Sequence, residues 1–314
     1  MLFGKRLVHE IDFAPHGNGS WTTPWRSAAD DLAGNARESA FALVNHASSW
    51  WFDMWGGFYE DSCLRDRIGR LKEIADGLSD DESPSDADVL FVCDPWSTAY
   101  VNERIAESES PSWAFTPAAT LRLRNALGRS GLVADIHSFD DLRHLDLSRY
   151  RMICLPQLIE VTPERGAFLR ERVCRDGRTV LWCGHPGLSD GRTLDAARTR
   201  SLTGLSGRAG AVETASRGDW TSVLATDCSA LTPERLRAIG ERAGCWLALE
   251  GPGVVFANRR LMAVHVAQGG ELAVRLKRKV GKVTDLLTGR VLGERTDSVR
   301  VPFDTPDTRL LRLD

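Results

Sequence analysis

Apolar and polar positions along the first eighty residues follow two rhythms in turn. Residues 6–12, RLVHEID, read as a short strand that ends in polar groups. A polar, glycine-rich loop runs from Pro15 to Thr23, and Pro24 then suits the first position of a helix. From about Trp25 to Ala47, the residues Leu32, Ala36, Ala40, Leu43 and Val44 recur at helical spacing. The stretch SSWWFDMWGGFYED reads as a second apolar strand that breaks at Gly56-Gly57. After it, Leu64, Ile68, Leu71, Ile74 and Leu78 mark an amphipathic helix. Strand, helix, strand, helix is the order of parallel α/β architecture.

Residues 79–88, SDDESPSDAD, are acidic, polar and proline-containing, and form the best linker candidate in the chain. Beyond them the same rhythm restarts. Strands are predicted at Val89–Val92, Leu132–Ile136, Tyr150–Leu155 and Thr179–Cys183, with a helix over 117–130 and another from Thr162 to about Cys174. Thr162 is a suitable N-cap and Pro163 sits at the first helical position. These elements describe a small doubly wound domain with a parallel sheet. Residues 186–230, rich in Gly, Ser, Thr and Arg, predict no definite element. A second Thr-Pro-Glu at 232–234 opens a helix to Ala243. From Cys245 onward short segments alternate with turn residues: Trp246–Leu249, Val254–Asn258, Met262–Ala267, Leu272–Leu276, Val283–Leu286 and Val299–Phe303. They predict a compact antiparallel β module.

Composition narrows the function classes. A length of 314 residues fits two or three domains, each able to bury its own core. With a net charge of −3, the chain has no electrostatic pull toward nucleic acid or an anionic membrane. It contains no run of roughly 18 apolar residues that would predict a spanning helix. The basic start Gly4-Lys5-Arg6 leads directly into His9, Glu10 and Asp12, so no signal peptide is expected. The seven cysteines are scattered, odd in number and without C-x-x-C spacing, and Cys154 and Cys183 sit inside apolar runs. That usage predicts buried, reduced thiols in a cytoplasmic protein. The histidines show no metal-ligand spacing and no glycine-rich phosphate loop is present, so neither metal nor cofactor is expected. Of ten tryptophans, six (Trp21, Trp25, Trp50, Trp51, Trp55 and Trp96) fall in the first hundred residues. Flat indole faces suit pyranose rings, which leans the reading toward carbohydrate.

The order of parts, with particular residues, resembles the family 42 glycoside hydrolases, β-galactosidases that carry a trimerisation domain. VHEID at 8–12 resembles the segment bearing the nucleophilic glutamate, and SWWFDMWGGFYED at 49–61 resembles the last barrel strand and its loop. Arg151 to Pro156, the Thr162 helix and Asp176-Gly177-Arg178-Thr179-Val180-Leu181 resemble the trimerisation domain. GVVFANRRLMAVHVA at 253–267 and the ending Asp307 to Leu313 resemble the terminal β domain. The resemblance implies an α/β chain in three parts. Residues 1–82 would be a remnant of a (β/α)8 barrel, its last two βα units. Residues 83–245 would be a flavodoxin-like trimerisation domain of the fold shared with class I glutamine amidotransferases, and 246–314 a small antiparallel β domain. The family's usual Glu-Gln-Ser is here Glu10-Ile11-Asp12, so the resemblance does not fix galactose as the sugar.

By this resemblance Glu10 is the nucleophile, at the carboxyl end of a barrel strand where such sites sit. Read without the family, it is a polar residue ending a strand. Asp12 shares the face of Glu10 and would orient a sugar hydroxyl or simply bind loop backbone. Trp51, Asp53 and Trp55 also lie at period two; they would form a sugar platform and a hydroxyl acceptor, or barrel core with one capping acid. A retaining glycosidase needs a second carboxyl about 5 Å from the first. In the family that acid/base comes from an earlier barrel strand, so this chain is expected to be inactive alone on its galactoside or related carbohydrate. The expected partners are a homotrimer and a complementing barrel polypeptide. The alternative is a non-catalytic oligomerisation module of flavodoxin-like fold. A third reading, a Cys183 nucleophile at Cys183-Gly184-His185, lacks the Gly-x-Cys-x-Gly elbow.

Overall fold

The computed structural model describes residues 6–17, 25–53, 56–78, 83–100 and 117–314. The chain divides into two compact units, one made of residues 1–86 with 248–314 and the other of 87–247.

The first unit opens with strand β1 (Val8–Ile11), helix α1 (Ala28–Val44), strand β2 (Ser48–Trp51) and helix α2 (Ser62–Asp76). β1 and β2 pair in parallel, in register from Val8 opposite Ser48 to Ile11 opposite Trp51. α1 starts at Ser27, whose side chain accepts from the Asp30 amide, and Asp30 and Asp31 place negative charge in the first turn. α2 starts in the same way at Asp61, which accepts from the Leu64 amide at 3.0 Å. Both helices bury an apolar stripe, Ala33, Ala36 and Ala40 on α1 and Leu64, Leu71 and Ile74 on α2.

The second unit is a six-stranded sheet with helices. In chain order it comprises β3 (Val89–Cys93), α3 (Pro117–Arg129), β4 (Ala134–Ser138), β5 (Met152–Pro156), α4 (Pro163–Phe168), β6 (Thr179–Cys183), α5 (Ala197–Thr203), β7 (Val212–Ser216), β8 (Thr221–Ala225) and α6 (Pro233–Arg242). The strand order is β4-β3-β5-β6-β8-β7; the first five are parallel and β7 is antiparallel at the edge. β3, β5 and β6 are near-continuous apolar runs, as strands covered on both faces must be. Trp182, fully buried in β6, settles its indole N–H on Ser222 of β8 at 3.1 Å. The region 186–230, featureless by sequence, supplies α5, β7 and β8.

The chain then returns to the first unit as five antiparallel strands, β9 (Val254–Ala257), β10 (Leu261–Val266), β11 (Gly270–Asp285), β12 (Val291–Phe303) and β13 (Asp307–Leu313), in the order β12-β11-β13-β10-β9. The two strands expected at Leu272–Leu276 and Val283–Leu286 are one: β11 runs through the charged middle and absorbs a register shift between Arg275 and Val280. The strand expected at Trp246–Leu249 is reduced to isolated bridges at Leu247 and Leu249. This sheet covers the first two βα units. Ala40, Val44 and Ile74 share a core with Leu261, Ala263 and Leu310. Thr308 Oγ1 donates to the Ala33 carbonyl at 2.6 Å, and Asn258 Nδ2 donates to the Val44 carbonyl at 2.9 Å, one of the carbonyls the helix end leaves free. The opening βα units and the closing β strands therefore fold as one body with one core.

Among the described residues no helix is long and apolar enough to cross a membrane.

Candidate functional site

The candidate site is built on β1 and β2. Alternation along a strand sends neighbouring side chains to opposite faces, and α1 covers one of those faces. His9, Ile11 and Trp51 point to the helix side. His9 Nε2 meets Glu38 of α1 at 3.0 Å and its ring stands edge-on to Phe41, while the Trp51 indole donates to Asn35 Oδ1 at 2.9 Å. Ile11 is fully buried. Val8 and Glu10 of β1, with Ser48 and Trp50 of β2, occupy the open face. Glu10 stands directly opposite Trp50 in the register.

Glu10 makes no hydrogen bond or ion pair with the described residues, and its carboxylate is solvent-facing. The aromatic beside it is Trp50, 43% exposed, which leans on Phe52 at a ring distance of 5.2 Å. Sequence reasoning selected Trp51 instead, because two consecutive tryptophans leave the phase of the strand open. The signal that fixes the phase is Asn35, a polar residue on the inner stripe of α1, which captures the Trp51 indole.

Past the strand ends lie Asp12 and Asp53. Asp12 is half-buried, and its Oδ1 is enclosed without a hydrogen-bond partner. Asp53 is exposed and accepts from the Phe58 amide at 3.3 Å, which closes its loop. Between the two strand ends the Tyr59 hydroxyl reaches the carbonyls of Ile11 at 3.2 Å and Phe52 at 3.4 Å. Burial drives the Tyr59 pKa up, and the Asp53 and Asp12 carboxylates add to the rise. Asp12, Asp53 and Tyr59 are thus one electrostatic cluster at the carboxyl ends of both strands, with Tyr59 neutral and clamping the pair. Trp55 lies outside the described residues.

Chemically, the open face offers one carboxylate beside one indole. The residue across from Glu10 is an aromatic, so no second carboxyl stands directly opposite it in the register. Among the described residues no group of three or more His, Cys, Asp or Glu is gathered to hold a metal ion.

One expectation in the second unit is corrected. Cys183 is not a free buried thiol: it is disulfide-bonded to Cys228 across 45 residues of sequence, and Cys63, Cys93, Cys154, Cys174 and Cys245 lie outside that disulfide. A sulfur already bonded is no nucleophile, and the amidotransferase-like reading of Cys183-Gly184-His185 falls with it.

No family model matches the sequence, and no curated protein does either. Solved structures do match in fold. A β-galactosidase from Bacillus circulans sp. alkalophilus superposes with a TM-score of 0.64 at 17% identity, over 93% of this chain and 53% of that one. A polyextremophilic β-galactosidase from the Antarctic haloarchaeon Halorubrum lacusprofundi gives 0.60 at 15% identity, over 98% of this chain and 53% of that one. A catalytic mutant of a GH42 β-galactosidase from G. stearothermophilus gives 0.57 at 14% identity, over 92% and 51%. The chain therefore shares the fold of part of the GH42 β-galactosidases and spans about half the length of those it matches.

Proposed function

We propose that this chain is the nucleophile-bearing portion of a β-galactosidase-like retaining glycoside hydrolase, acting on a galactoside or related carbohydrate and inactive by itself. The observation that carries this reading is Glu10 at the carboxyl end of β1, on the face turned away from the helix layer, with Trp50 opposite it. In a (β/α)8 barrel that face is the interior and those strand ends carry the chemistry. Glu10 would attack the anomeric carbon to form a glycosyl-enzyme as the glycosidic C–O bond breaks and the leaving oxygen takes a proton from an acid/base carboxyl. Trp50 would support the apolar face of the sugar, and Asp12 and Asp53 would accept hydrogen bonds from its hydroxyls. The acid/base carboxyl would come from the remaining strands of such a barrel, which also would cover the exposed Leu7, Val8 and Trp50. The direct test is hydrolysis of nitrophenyl galactosides by the purified chain. Background rates are expected, and turnover that disappears in Glu10→Gln would show the chain to be sufficient alone.

The second unit favours an added, non-catalytic role. Counting its parallel strands in chain order, the sheet runs 2-1-3-4-5, the flavodoxin-like order, in which ligands bind at the switch point between β3 and β5. Here that point is occupied by the protein's own groups. Asp94, whose side chain is 1% exposed, is paired with Arg165, and Arg165 also donates to the Glu160 carbonyl at 2.7 Å and lies 4.0 Å from the Phe139 ring centre. Ser97 donates to Asp94 and accepts from the Ile159 amide at 2.8 Å. A crevice filled in this way suits an assembly domain, and we read it as the trimerising part of the chain. A strict monomer by light scattering at micromolar concentration would sink that role.

A further inference from the structure

The second unit contains a concavity of about 550 Å³ that none of the chemistry above uses. Its walls come from three directions: α4 with the turn that follows it, the segment after β6 leading into α5, and the tip of the β7–β8 hairpin. Four charged side chains line it. Arg198 is neutralised by Asp190 at 2.8 Å. The guanidiniums of Arg170 and Arg217 make no hydrogen bond or ion pair with any described residue, so two positive charges face the cavity without a counter-ion. Val161, Leu202 and Trp220 supply apolar wall between them.

Each arginine is delivered by local backbone geometry. Residues Leu169–Val173 form a π turn in which the Cys174 amide donates to the Leu169 carbonyl five residues back, at 2.8 Å, and Arg170 projects from this turn. Such single π turns recur at functional sites because they re-aim one side chain out of the helical register. Arg217 and Trp220 sit at the hairpin tip, closed by the Arg217 amide on the Trp220 carbonyl at 2.8 Å with Gly218 at φ +79°. That tip is anchored, since Asp219 accepts from the amides of Asp176 at 3.0 Å and Gly177 at 2.6 Å. The Arg217 guanidinium lies over Gly204, the left-handed residue that ends α5; an added Cβ there would come within 2.6 Å of it. Cys174 lines the same cavity; burial pushes its thiol up to about 12, and Arg178, Arg170 and Arg217 pull the other way.

A planar guanidinium with unused donors matches an oxyanion in two-point geometry, and a cavity of this volume with an indole wall accommodates one ring. We propose that this cavity binds a small ring-bearing anion, a sugar phosphate or a sugar acid, with Arg170 and Arg217 holding the oxyanion and Trp220, Val161 and Leu202 covering the ring. The site lies wholly in the second unit and does not depend on Glu10, so failure to hydrolyse galactosides leaves it standing.

Isothermal titration of the purified chain at low ionic strength tests it, with glucose 6-phosphate, glucuronate, glucose and inorganic phosphate as four separate ligands. Saturable binding of one of the two charged sugars is expected, and its identity decides between phosphate and carboxylate. The double variant Arg170→Gln/Arg217→Gln is expected to weaken that binding by about tenfold or more, through loss of charge-assisted hydrogen bonds. Both side chains are exposed, so an unchanged melting profile is expected to accompany the loss. Three outcomes overturn the proposal: no saturable binding of either charged sugar up to about 10 mM, equal affinity in the double variant, or glucose binding as tightly as its charged relatives. Inorganic phosphate binding as tightly as glucose 6-phosphate would remove the ring from it.

Discussion

Glu10 of β1 and Trp50 of β2 stand opposite each other in the parallel register, on the face that the α1 layer does not cover. This relationship ties the proposed chemistry to a place. A carboxylate and an indole placed side by side at strand ends would, in the proposed reading, serve as nucleophile and sugar platform from two adjacent strands. It also states what the β1–β2 pair lacks, because the position across from Glu10 is aromatic.

The first expectation concerns activity. The chain alone should hydrolyse nitrophenyl galactosides at background rate. Addition of a separately produced polypeptide carrying the earlier strands of a GH42-type barrel should raise it, and Glu10→Gln should then lower the restored rate by on the order of 10⁴-fold, the scale on which members of a catalytic unit fail together. Because Glu10 is exposed and has no hydrogen-bond or ion-pair partner among the described residues, the same variant should leave the unfolding midpoint of the chain where it was.

The second expectation separates the two neighbouring tryptophans. Asn35 is fully buried, its Nδ2 donates to the Asp31 carbonyl at 2.9 Å, and its Oδ1 receives the Trp51 indole. Asn35→Ala should cost about 1–3 kcal/mol, since it strands a donor inside the protein. Trp50→Ala, at an exposed site, should cost far less. Urea titrations compare the two; equal losses would mean that Trp50 is also a structural residue.

Much of the fold was legible from local chemistry. Thr162-Pro163 and Thr232-Pro233 marked two helix starts, and the structure shows both threonines accepting from the amides three residues on, Arg165 and Arg235. The apolar runs of β3, β5 and β6 were equally plain. What escaped was decided by partners distant in sequence. β8, Thr221-Ser222-Val223-Leu224-Ala225, has too few large apolar residues to stand out from its surroundings, and becomes a strand because β6 and β7 flank it. β11 carries Lys277, Arg278 and Lys279 in mid-strand, which breaks the apolar alternation; Arg278 is held there by Asp86 at 2.9 Å. At the candidate site Glu10, Asp12 and Asp53 were legible as carboxylates at strand ends. The choice of Trp50 over Trp51 was not, because only the position of α1 sets which face is open.

The third expectation concerns cysteine. The sequence holds seven cysteines and the structure bonds two of them, Cys183 and Cys228. Denatured without reductant, the chain should therefore expose the five thiols outside the disulfide to an alkylating agent, and seven after reduction. Reduction should lower stability by about 2–4 kcal/mol, the usual effect of opening a loop of this size. Alkylation of all seven without reductant would restore the reading of isolated buried thiols.

The last expectation is a pH dependence carried by His265 of β10. The Thr308 hydroxyl gives its proton to the Ala33 carbonyl at 2.6 Å, so its oxygen must accept from His265 Nδ1 at 2.9 Å. Burial first, and Arg37 after it, hold the imidazole pKa down to about 4 against the opposing pull of Glu38 and Asp30. The group is therefore neutral in the folded chain and titrates near 6.5 when unfolded. The unfolded chain takes up the proton first as pH falls, which favours unfolding. The contribution of His265 to stability is whole above pH 6.5, drains away between about 6.5 and 4, and is constant below; over the full interval it amounts to at most about 3 kcal/mol. Other groups titrate in the same range, so the measurement is a difference: urea midpoints of the chain and of His265→Gln at pH 7.5, 6, 5 and 4. The gap between the two proteins should narrow as pH falls. A gap that stays constant would mean that burial does not hold the His265 imidazole neutral in the folded chain.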